Sequence, residues 1–574
     1  MTYGQGTGTG AQAGRRRRHR LAGDRNPAGE QEVEGVFLDE RRLAKEKANG
    51  IWPDRVVTDY FDRWVAEKPD ATAVIAFREQ DATTTRYTWR ELARAAAAIA
   101  RSLSALGVAK GDVVSFQLPN WWQFVAIHLA CVRIGAVSNP LMPIYRHREL
   151  SFMVAHAESK VLIAPARFRG FDHGALALAL KRELPTLRHV FLVGGEGECS
   201  FEDSLLAGTR GGTIEPRAKC GPNDIVQLLY TSGTTGEPKG AMHTSNTLIG
   251  TTLTFAGRMQ LGAADVIFMP SPLAHQIGFE YGLLVSALLG APLLLMDVWN
   301  PARAVELMET HGATYMFAAT PFLADLAGFP NVEARALDAF RLFVASGAPI
   351  PPVLVRLAQE RLRANIVAGW GMTECGIVTT TSLSGHKVHE SDGFPLPGEE
   401  VRIVDEQGTE VLRQQEGTLK VRGAALFVGY LKRPHLYDVD AEGWFDTGDI
   451  ARMDLEGYIR ICGRKKDIII RGGENIPVVQ VESATYKMPQ VAEVAIVAMP
   501  DLRLGERACA FVVLRPGARL TMKDMRAFLE DEGIAKQFWP ERIEILDQMP
   551  RTPTGKIQKF ALREIAKGYS GWRA

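Results

Sequence analysis

The sequence has few cysteines, and none of them are paired in spacing. Six occur in 574 residues, no two of them in a C-x-x-C arrangement: Cys131, Cys199, Cys220, Cys375, Cys462 and Cys509. This distribution argues against a disulfide framework and against a cysteine-ligated zinc site. Free cysteines also fit a reducing compartment, so we expect a cytoplasmic protein.

Net charge and long apolar runs are also lacking. The chain carries 67 Lys and Arg against 66 Asp and Glu, a net charge of +1. Nucleic-acid-binding domains usually carry a basic excess, so no nucleic-acid partner is expected. No uninterrupted apolar run reaches the roughly 20 residues that span a bilayer, so no transmembrane segment is expected. Because 574 residues exceed one compact core, the length predicts two or more domains.

Two familiar catalytic motifs are missing as well. The G-x-S-x-G turn of serine hydrolases does not occur, which disfavours a hydrolase. The nearest candidate for a P-loop is Tyr230–Gly240, YTSGTTGEPKG, where Gly233 is followed by a glycine only three positions later and then by Glu237. This spacing fails the P-loop pattern, so that nucleotide-binding fold is not expected.

The same segment is nevertheless rich in groups that bind phosphate. It contains four hydroxyl side chains, three glycines and Lys239, and it follows Asp224–Leu229, an apolar run that predicts a buried strand. Glycines let backbone N–H groups approach a ligand closely, while hydroxyls and an ammonium add donors. The composition therefore fits a polyphosphate-binding loop, with an ordinary surface turn as the alternative.

Four further motifs follow in order along the chain: WGMTE at Trp370–Glu374, DTGD at Asp446–Asp449, GRKKD at Gly463–Asp467 and PRTPTGK at Pro550–Lys556. Together with YTSGTTGEPKG they resemble the adenylate-forming (ANL) superfamily of acyl-CoA synthetases, beetle luciferases and peptide-synthetase adenylation domains. The resemblance covers about residue 50 to the end. Residues 463–476 and 504–515 are most similar to medium-chain fatty-acyl and cyclohexanecarboxylate-CoA ligases.

The resemblance implies an ATP-dependent acid–thiol ligase. Such an enzyme activates a carboxylic acid as acyl-AMP, releases pyrophosphate and transfers the acyl group to coenzyme A. The expected acid is a medium-chain fatty or alicyclic one such as cyclohexanecarboxylate, and a homodimer is a candidate assembly. One alternative is an acyl-AMP ligase that loads a carrier protein. Another is a nucleotide sensor without catalysis, against which the intact Lys556, Glu374 and Asp449 argue.

The order of predicted elements indicates an α/β fold. Strands and helices alternate from Thr58 onward, Asn120 is the expected cap of a following helix, short strands prevail beyond Arg402, and a separate α+β pattern follows Asp467. We expect a large N-terminal domain of α/β layers with a β-rich subdomain, plus a small mobile α+β C-terminal domain. The predicted boundaries are 1–49 for a disordered basic arm containing RRRRHR, 50–465 for the N-terminal domain and 466–574 for the C-terminal domain.

The resemblance assigns the chemistry to a few side chains. Lys556 would bridge phosphate and carboxylate oxygens, because a compact ammonium offsets the repulsion between two anions. Thr373 would donate to the α-phosphate, and Glu374 would hold Mg²⁺. His275 would lie near the reacting carboxylate, although a lone histidine on an apolar segment is more often a core residue.

Nucleotide contacts are implied for a larger set. Asp449 would accept from the ribose hydroxyls and Arg464 would add a ribose or phosphate contact. Trp370 replaces the family's usual tyrosine, so stacking on adenine should survive while a hydroxyl contact is lost. The full ATP- and AMP-binding set is Thr231, Ser232, Gly233, Thr234, Thr235, Gly236, Lys239, Gly347, Ala348, Pro349, Trp370, Gly371, Met372, Asp449 and Arg464.

The remaining implied residues serve the acyl group and coenzyme A. Candidate walls of an acyl pocket are Gly278, Phe279, Ala318, Ala319, Thr320, Ser346 and Cys375. No aspartate lies between Ser271 and Gly278, which favours a plain carboxylic acid over an amino acid. Lys466 corresponds to the family's hinge, and Gly472 and Gly473 to the channel for pantetheine, where glycines permit close backbone approach.

Overall fold

The computed structural model describes residues 36–38, 40–207, 220–231, 238–347, 350–471, 474–551 and 556–569, with only the backbone of residues 466, 474 and 475. The helices in these ranges are α1 Glu40–Ala48, α2 Val57–Glu67, α3 Trp89–Ala105, α4 Trp122–Ile134, α5 His147–His156, α6 His173–Glu183, α7 Ser245–Arg258, α8 Gln276–Gly278, α9 Val285–Leu289, α10 Pro301–His311, α11 Thr320–Gly328, α12 Pro352–Leu362, α13 Val478–Tyr486, α14 Met522–Asp531 and α15 Lys559–Lys567.

The strands of the first half are β1 Thr72–Arg78, β2 Thr83–Thr88, β3 Val113–Phe116, β4 Val137–Pro140, β5 Val161–Pro165, β6 Arg167–Phe168, β7 Phe171–Asp172, β8 His189–Val193, β9 Ile225–Thr231, β10 Lys239–Thr244, β11 Ile267–Met269 and β12 Leu293–Met296. Those of the second half are β13 Tyr315–Ala318, β14 Leu342–Ala345, β15 Asn365–Met372, β16 Gly376–Thr380, β17 Phe394–Pro395, β18 Glu399–Val404, β19 Glu416–Gly423, β20 Phe445–Met453, β21 Ile459–Arg464, β22 Ile469–Arg471, β23 Glu474–Ile476, β24 Val491–Asp501, β25 Gly505–Leu514 and β26 Arg542–Ile545.

The described strands form four larger sheets and one small pair. The first sheet has the order β17-β16-β15-β14-β13-β11-β12-β1-β2, and the second β10-β9-β4-β3-β5-β8. The third sheet is β18-β19-β20-β21, and the fourth is β23-β22-β25-β24 with β26 beside β25. β6 and β7 pair with each other. The α/β fold class predicted from the sequence is confirmed, with the third sheet as the β-rich subdomain and the fourth in the C-terminal part.

Both faces of the first sheet are buried, which explains the continuous apolar runs of its strands. In β12, Leu293 and Leu295 pack into the core shared with α3, α4 and α7, while Leu294 and Met296 pack into the core shared with α10, α11 and α12. Side chains of a strand alternate between its faces, so a strand covered on both sides needs apolar residues throughout. The second sheet has α5 and α6 on its outer face, which gives five stacked layers.

Two sequence predictions are wrong at the level of single elements. The cap of α4 is Trp121, not Asn120, whose buried side chain instead binds the chain after β11. Residues 40–48, predicted to belong to the disordered arm, form α1. That helix docks on the chain after β19, so contacts distant in sequence order it. Residues 1–35 lie outside the described ranges.

The predicted hinge lies between two sheets. β21 ends the third sheet, a short 3₁₀ turn covers Lys465–Asp467, and β22 begins the fourth sheet. Lys466 therefore lies in the short connection between the third and fourth sheets. The predicted domain boundaries and the predicted rotation about Lys466 stay predictions. In the ranges that the structure describes, no helix is both long and apolar enough to cross a membrane.

Candidate active site

Four neighbouring parallel strands end at one edge of the first sheet and deliver many of the predicted site residues. β11, β13, β14 and β15 are paired in parallel, for example Ala318 with Ala345. Ligands of open α/β sheets bind beyond the carboxyl ends of such strands. The residues that end or follow these strands are His275 after β11, Ala318, Ala319 and Thr320 at β13, Ser346 and Gly347 after β14, and Trp370 to Cys375 at β15.

Lys556 reaches this edge from the C-terminal part of the chain. Gly347 has φ +85°, and a Cβ added to it would lie 2.8 Å from Lys556 Cε and 3.3 Å from Nζ. The positive φ favours glycine at this position, and the lack of a side chain lets Lys556 approach the backbone closely. Burial and the nearby Arg464 lower the pKa of Lys556 to about 8, while Asp449 and Glu374 act in the opposite direction. The ammonium is therefore influenced by the cationic and acidic groups predicted to bind nucleotide and metal.

Asp449, on β20, is buried and is held by one hydrogen bond and one ion pair. Asp449 is only 2% exposed. The indole Nε1 of Trp370 donates to its Oδ2 at 2.9 Å, and Arg464 Nε lies 2.7 Å from its Oδ1. Burial raises the pKa of Asp449, and Arg464 and Trp370 lower it. The bond from Trp370 is a contact that the sequence did not predict. It links the first sheet to the third and orients the predicted ribose ligand.

Glu374 is also buried, and its carboxylate is held by Tyr430. The hydroxyl of Tyr430 donates to Glu374 Oε1 at 2.6 Å, while the other oxygen, Oε2, has no hydrogen-bond partner within the described part of the chain. Mg²⁺ is commonly bound by one or two carboxylates together with substrate phosphates. The described residues contain no cluster of three potential ligands. A single oriented carboxylate beside a phosphate site fits magnesium of this kind.

Thr373 is fixed through its backbone by a histidine on β10. His243 Nε2 lies 2.7 Å from the carbonyl oxygen of Thr373, and Nδ1 lies 3.2 Å from Thr247 Oγ1. Burial lowers the pKa of His243 to about 4, so the ring is neutral at pH 7 and its Nε2 proton faces the carbonyl. This bond connects the predicted phosphate segment to the WGMTE turn.

His275 is neutral as well. Its Nδ1 accepts from the backbone N–H of Ile277 at 3.3 Å, and burial together with Lys556 lowers its pKa to about 3. The proton of the neutral ring is therefore on Nε2. Asn120 holds the preceding chain, because its Nδ2 donates to the carbonyl of Ser271 at 2.9 Å and its Oδ1 accepts from Leu273 N at 2.8 Å. Asn120 thus positions the segment that carries His275.

The candidate acyl-pocket residues are buried around this edge, and Thr320 begins α11. Gly278 packs so closely that an added Cβ would lie 2.2 Å from the carbonyl oxygen of Pro272. Phe279 lies in the core, with its ring 4.7 Å from that of His128. Cys375 belongs to the core of the third sheet. The structure brings the small residues together at the strand ends and places the Phe279 ring in the apolar core.

A buried carboxyl that the sequence did not reveal lies beside this region. Glu280 is 1% exposed, accepts from Gln276 Nε2 at 2.9 Å, and would lie 2.8 Å from a Cβ added to Gly376. Burial raises the pKa of Glu280 to about 8, so the group is mainly protonated at pH 7. The buried carboxyl therefore contributes little negative charge there.

The two ends of the predicted phosphate loop meet in the β9–β10 hairpin. Thr231 pairs with Lys239, and the Lys239 ammonium lies 5.2 Å from the ring centroid of Tyr430. At the other end of the site, an added Cβ on Gly371 would lie 1.9 Å from the carbonyl oxygen of Gly376. The predicted residues outside the described ranges are Ser232, Gly233, Thr234, Thr235, Gly236, Ala348, Pro349, Gly472 and Gly473, and the side chain of Lys466 is likewise not described.

Comparison with known proteins agrees with this geometry. The family model described as AMP-binding enzyme matches residues 61–431, and the model of the AMP-binding enzyme C-terminal domain matches residues 480–556. The chain therefore belongs to the AMP-binding enzyme family. Several curated relatives that match over nearly the whole chain are named as CoA ligases.

Two curated relatives and one solved structure show the extent of the similarity. The medium-chain fatty-acid–CoA ligase of Escherichia coli is 36% identical over 92% of this chain and 94% of its own length. A Mycobacterium tuberculosis ligase named for 3-[(3aS,4S,7aS)-7a-methyl-1,5-dioxo-octahydro-1H-inden-4-yl]propanoyl:CoA is 33% identical over 89% of this chain and 99% of its own. ATP-bound MatB from Rhodopseudomonas palustris has a TM-score of 0.79 and 28% identity, covering 90% of this chain and all (100%) of its own.

Proposed function

We propose that the protein activates a medium-chain fatty or alicyclic carboxylic acid with ATP and transfers it to coenzyme A. The observation that carries the proposal is the placement of Lys556 against Gly347, in the electrostatic reach of Asp449 and Glu374. A carboxylate attacking the α-phosphate brings two anions together, and a buried ammonium between them stabilises the charge that develops. The reaction forms an acyl–phosphate anhydride and releases pyrophosphate.

The other side chains would orient the two substrates. Asp449, held by Trp370 and Arg464, would accept from the ribose hydroxyls. His275 Nε2, which carries the proton of a neutral ring, would donate a hydrogen bond to the attacking acid. Glu374 Oε2 would bind Mg²⁺, whose role would be to neutralise phosphate charge. Cytoplasmic localisation and a homodimer stay predictions.

Thioester formation would require Lys556 to leave. Pantetheine has to reach the acyl carbon by a path that the C-terminal part does not block, so we propose rotation about Lys466 after pyrophosphate release. Gly472 and Gly473 would then face the site. The two relatives named as CoA ligases support coenzyme A as acceptor in preference to a carrier protein.

The residues near the strand ends support the proposed class of acid. Ala318, Ala319 and Ser346 are small residues, which suits an apolar chain or ring, and a mainly protonated Glu280 offers little charge to pair with an ammonium. A plain acid is therefore favoured over an amino acid. The names of the two relatives, one for medium-chain fatty acids and one for a fused-ring acid, support the same range.

A panel of acids tests this proposal. Short, medium and long fatty acids, cyclohexanecarboxylate, benzoate and an amino acid are compared by AMP production with and without coenzyme A. We expect the highest kcat/KM with medium-chain or alicyclic acids, and thioester only with coenzyme A present. Preference for an amino acid would contradict the proposed acid class. Activation trapped by hydroxylamine, without thioester on coenzyme A, would instead support the carrier-protein alternative.

A further inference from the structure

We propose that the chain around α1 is a strap that positions the metal-binding carboxylate, with Arg42 as its positioning residue. The N-terminal strap is defined here as residues 36–38 and 40–52, and the segment that it contacts is residues 424–431. The inference rests on the proposed role of Glu374, which lies more than 300 residues further along the chain than the strap. No sequence motif connects the two.

Arg42 donates hydrogen bonds to three backbone carbonyls of the 424–431 segment. Its Nη2 donates to the carbonyl of Ala424 at 3.2 Å and to that of Leu426, and its Nη1 donates to that of Phe427 at 3.3 Å. The indole Nε1 of Trp52 donates to the same Ala424 carbonyl at 3.1 Å. These three carbonyls belong to residues at most 2% exposed, so a guanidinium fork satisfies acceptors that water reaches poorly.

A second part of the strap contacts the same segment further along. The backbone N–H of Phe37 donates to the carbonyl of Val428 at 2.6 Å. The ring of Phe37 stacks on that of Tyr437, with centroids 4.7 Å apart, and the hydroxyl of Tyr437 donates to the Phe427 carbonyl at 3.3 Å. The strap therefore binds the segment at four residues, which are Ala424, Leu426, Phe427 and Val428.

The segment in turn holds Glu374 by backbone and side chain. The N–H of Phe427, the residue whose carbonyl Arg42 binds, donates to the carbonyl of Glu374 at 2.7 Å. Three residues later, the hydroxyl of Tyr430 donates to Glu374 Oε1 at 2.6 Å. A displacement of this segment would move both bonds and with them the carboxylate proposed to bind Mg²⁺.

The same segment also pairs with β10, the strand that follows the predicted phosphate loop. Val428 N donates to the Met242 carbonyl at 3.0 Å, Met242 N to that of Gly429 at 3.0 Å, and Leu431 N to that of Gly240 at 2.9 Å. The strap thus acts, through one segment, on the carboxylate and on the hairpin that carries Lys239. Other contacts, such as Ala425 N with Glu399 Oε1 at 2.9 Å, hold the segment independently. Loss of Arg42 should therefore shift the segment without unfolding it.

Arg42→Ala tests the proposal, with Arg41→Ala as the matched control, because Arg41 is the neighbouring residue on α1 and is exposed. Hydrogen exchange of a peptide containing residues 424–431 is measured in the ligand-free full chain. ATP-dependent pyrophosphate exchange is measured at varied Mg²⁺. For Arg42→Ala we expect faster exchange at Phe427 and Val428 and about a tenfold higher Mg²⁺ concentration for half-maximal rate, the usual effect of losing a partner that orients a metal ligand.

Trp52→Phe keeps an aromatic ring and removes the bond to Ala424 together with part of the indole's packing against Arg42, so it should give the same changes at smaller amplitude. Arg42→Lys, which keeps the charge but not the fork, should restore part of the loss. The inference is overturned if Arg42→Ala matches Arg41→Ala in hydrogen exchange, or if it lowers kcat with unchanged Mg²⁺ dependence. Absence of pyrophosphate exchange in the unaltered protein would instead overturn the proposed function, while hydrogen exchange still reports on the strap.

Discussion

Lys556 shows how surroundings set the chemistry of a single residue in this site. In water a lysine stays charged to a pH near 10, but burial and Arg464 lower the pKa of Lys556 to about 8. The charged form is the one that can bridge phosphate and carboxylate oxygens. Substrate anions bound beside it favour that form, so its pKa should rise again once ATP is bound.

The free enzyme should therefore lose adenylation activity as Lys556 deprotonates. Because a lowered lysine pKa means that the ammonium is present below about pH 8 and is lost above it, kcat/KM for ATP should fall about tenfold per pH unit beyond that point. The kcat profile of the ATP complex should decline only at higher pH. Pyrophosphate exchange at saturating and at low ATP gives both profiles.

Lys556→Arg is the control for this assignment. A guanidinium stays protonated throughout, so the variant should be slower but should lose the decline near pH 8. A flat kcat/KM profile to about pH 10 in the unaltered protein, or the same decline in the arginine variant, would assign the titration to another group.

Some residues of the candidate site could be predicted from the sequence and others could not. Lys556, Glu374 and Asp449 belong to contiguous motifs, so their identity was predicted from resemblance. The roles of Tyr430 and Asn120 were not predicted, because neither residue lies in a motif. Tyr430 contacts Glu374, 56 residues away, and Asn120 contacts Ser271, about 150 residues away. Partners chosen by tertiary packing leave no local pattern in one sequence.

At the scale of elements, Trp370 ties β15 of the first sheet to β20 of the third. The indole N–H of Trp370 donates to the carboxylate of Asp449, a residue that is only 2% exposed. A hydrogen bond to a buried carboxylate contributes more than an exposed one, since the acceptor has little access to water. Both strands present predicted nucleotide-binding residues, and this bond joins them directly.

Trp370→Phe removes this bond while keeping an aromatic ring. We expect about a tenfold increase in the KM for ATP, with a smaller change in kcat, because the ribose ligand loses orientation. The matched control is Trp299→Phe, which removes an indole bond of 2.8 Å to Asp325 at an exposed position. Steady-state kinetics with ATP varied give the comparison. An equal effect of the two substitutions on the KM for ATP would contradict the role given to Trp370.

Elements themselves were well predicted where both faces of a strand are buried. Leu293–Met296, Tyr315–Ala318 and Leu342–Ala345 have the predicted bounds, because apolar runs ending at polar or glycine-rich residues leave few alternatives. The predicted cap of α4 was wrong because the side chain of Asn120 has three backbone partners, one in the last residue of β11 and two in the chain after it. α1 was missed because its sequence is strongly polar and its order comes from docking.

At the scale of the whole molecule, both proposed half-reactions depend on where Lys556 lies. In the proposed mechanism, adenylation would need Lys556 beside Gly347, where the structure has it, and thioester formation would need that place vacated. The sequence predicted the two parts and the junction at Lys466 from motif resemblance. The sequence could not predict which arrangement of the two parts the structure would show, because one chain must be able to adopt both arrangements.

The half-reactions of two variants test this division most directly. Pyrophosphate exchange reports adenylation, and thioester formation from supplied acyl-AMP and coenzyme A reports transfer. Lys559→Ala, three residues along and paired with Glu482 at 2.7 Å, is the control for Lys556→Ala. Lys556→Ala should lower pyrophosphate exchange about a hundredfold or more and largely spare transfer, and Lys466→Pro should do the reverse. Equal loss of both half-reactions in either variant would contradict the account.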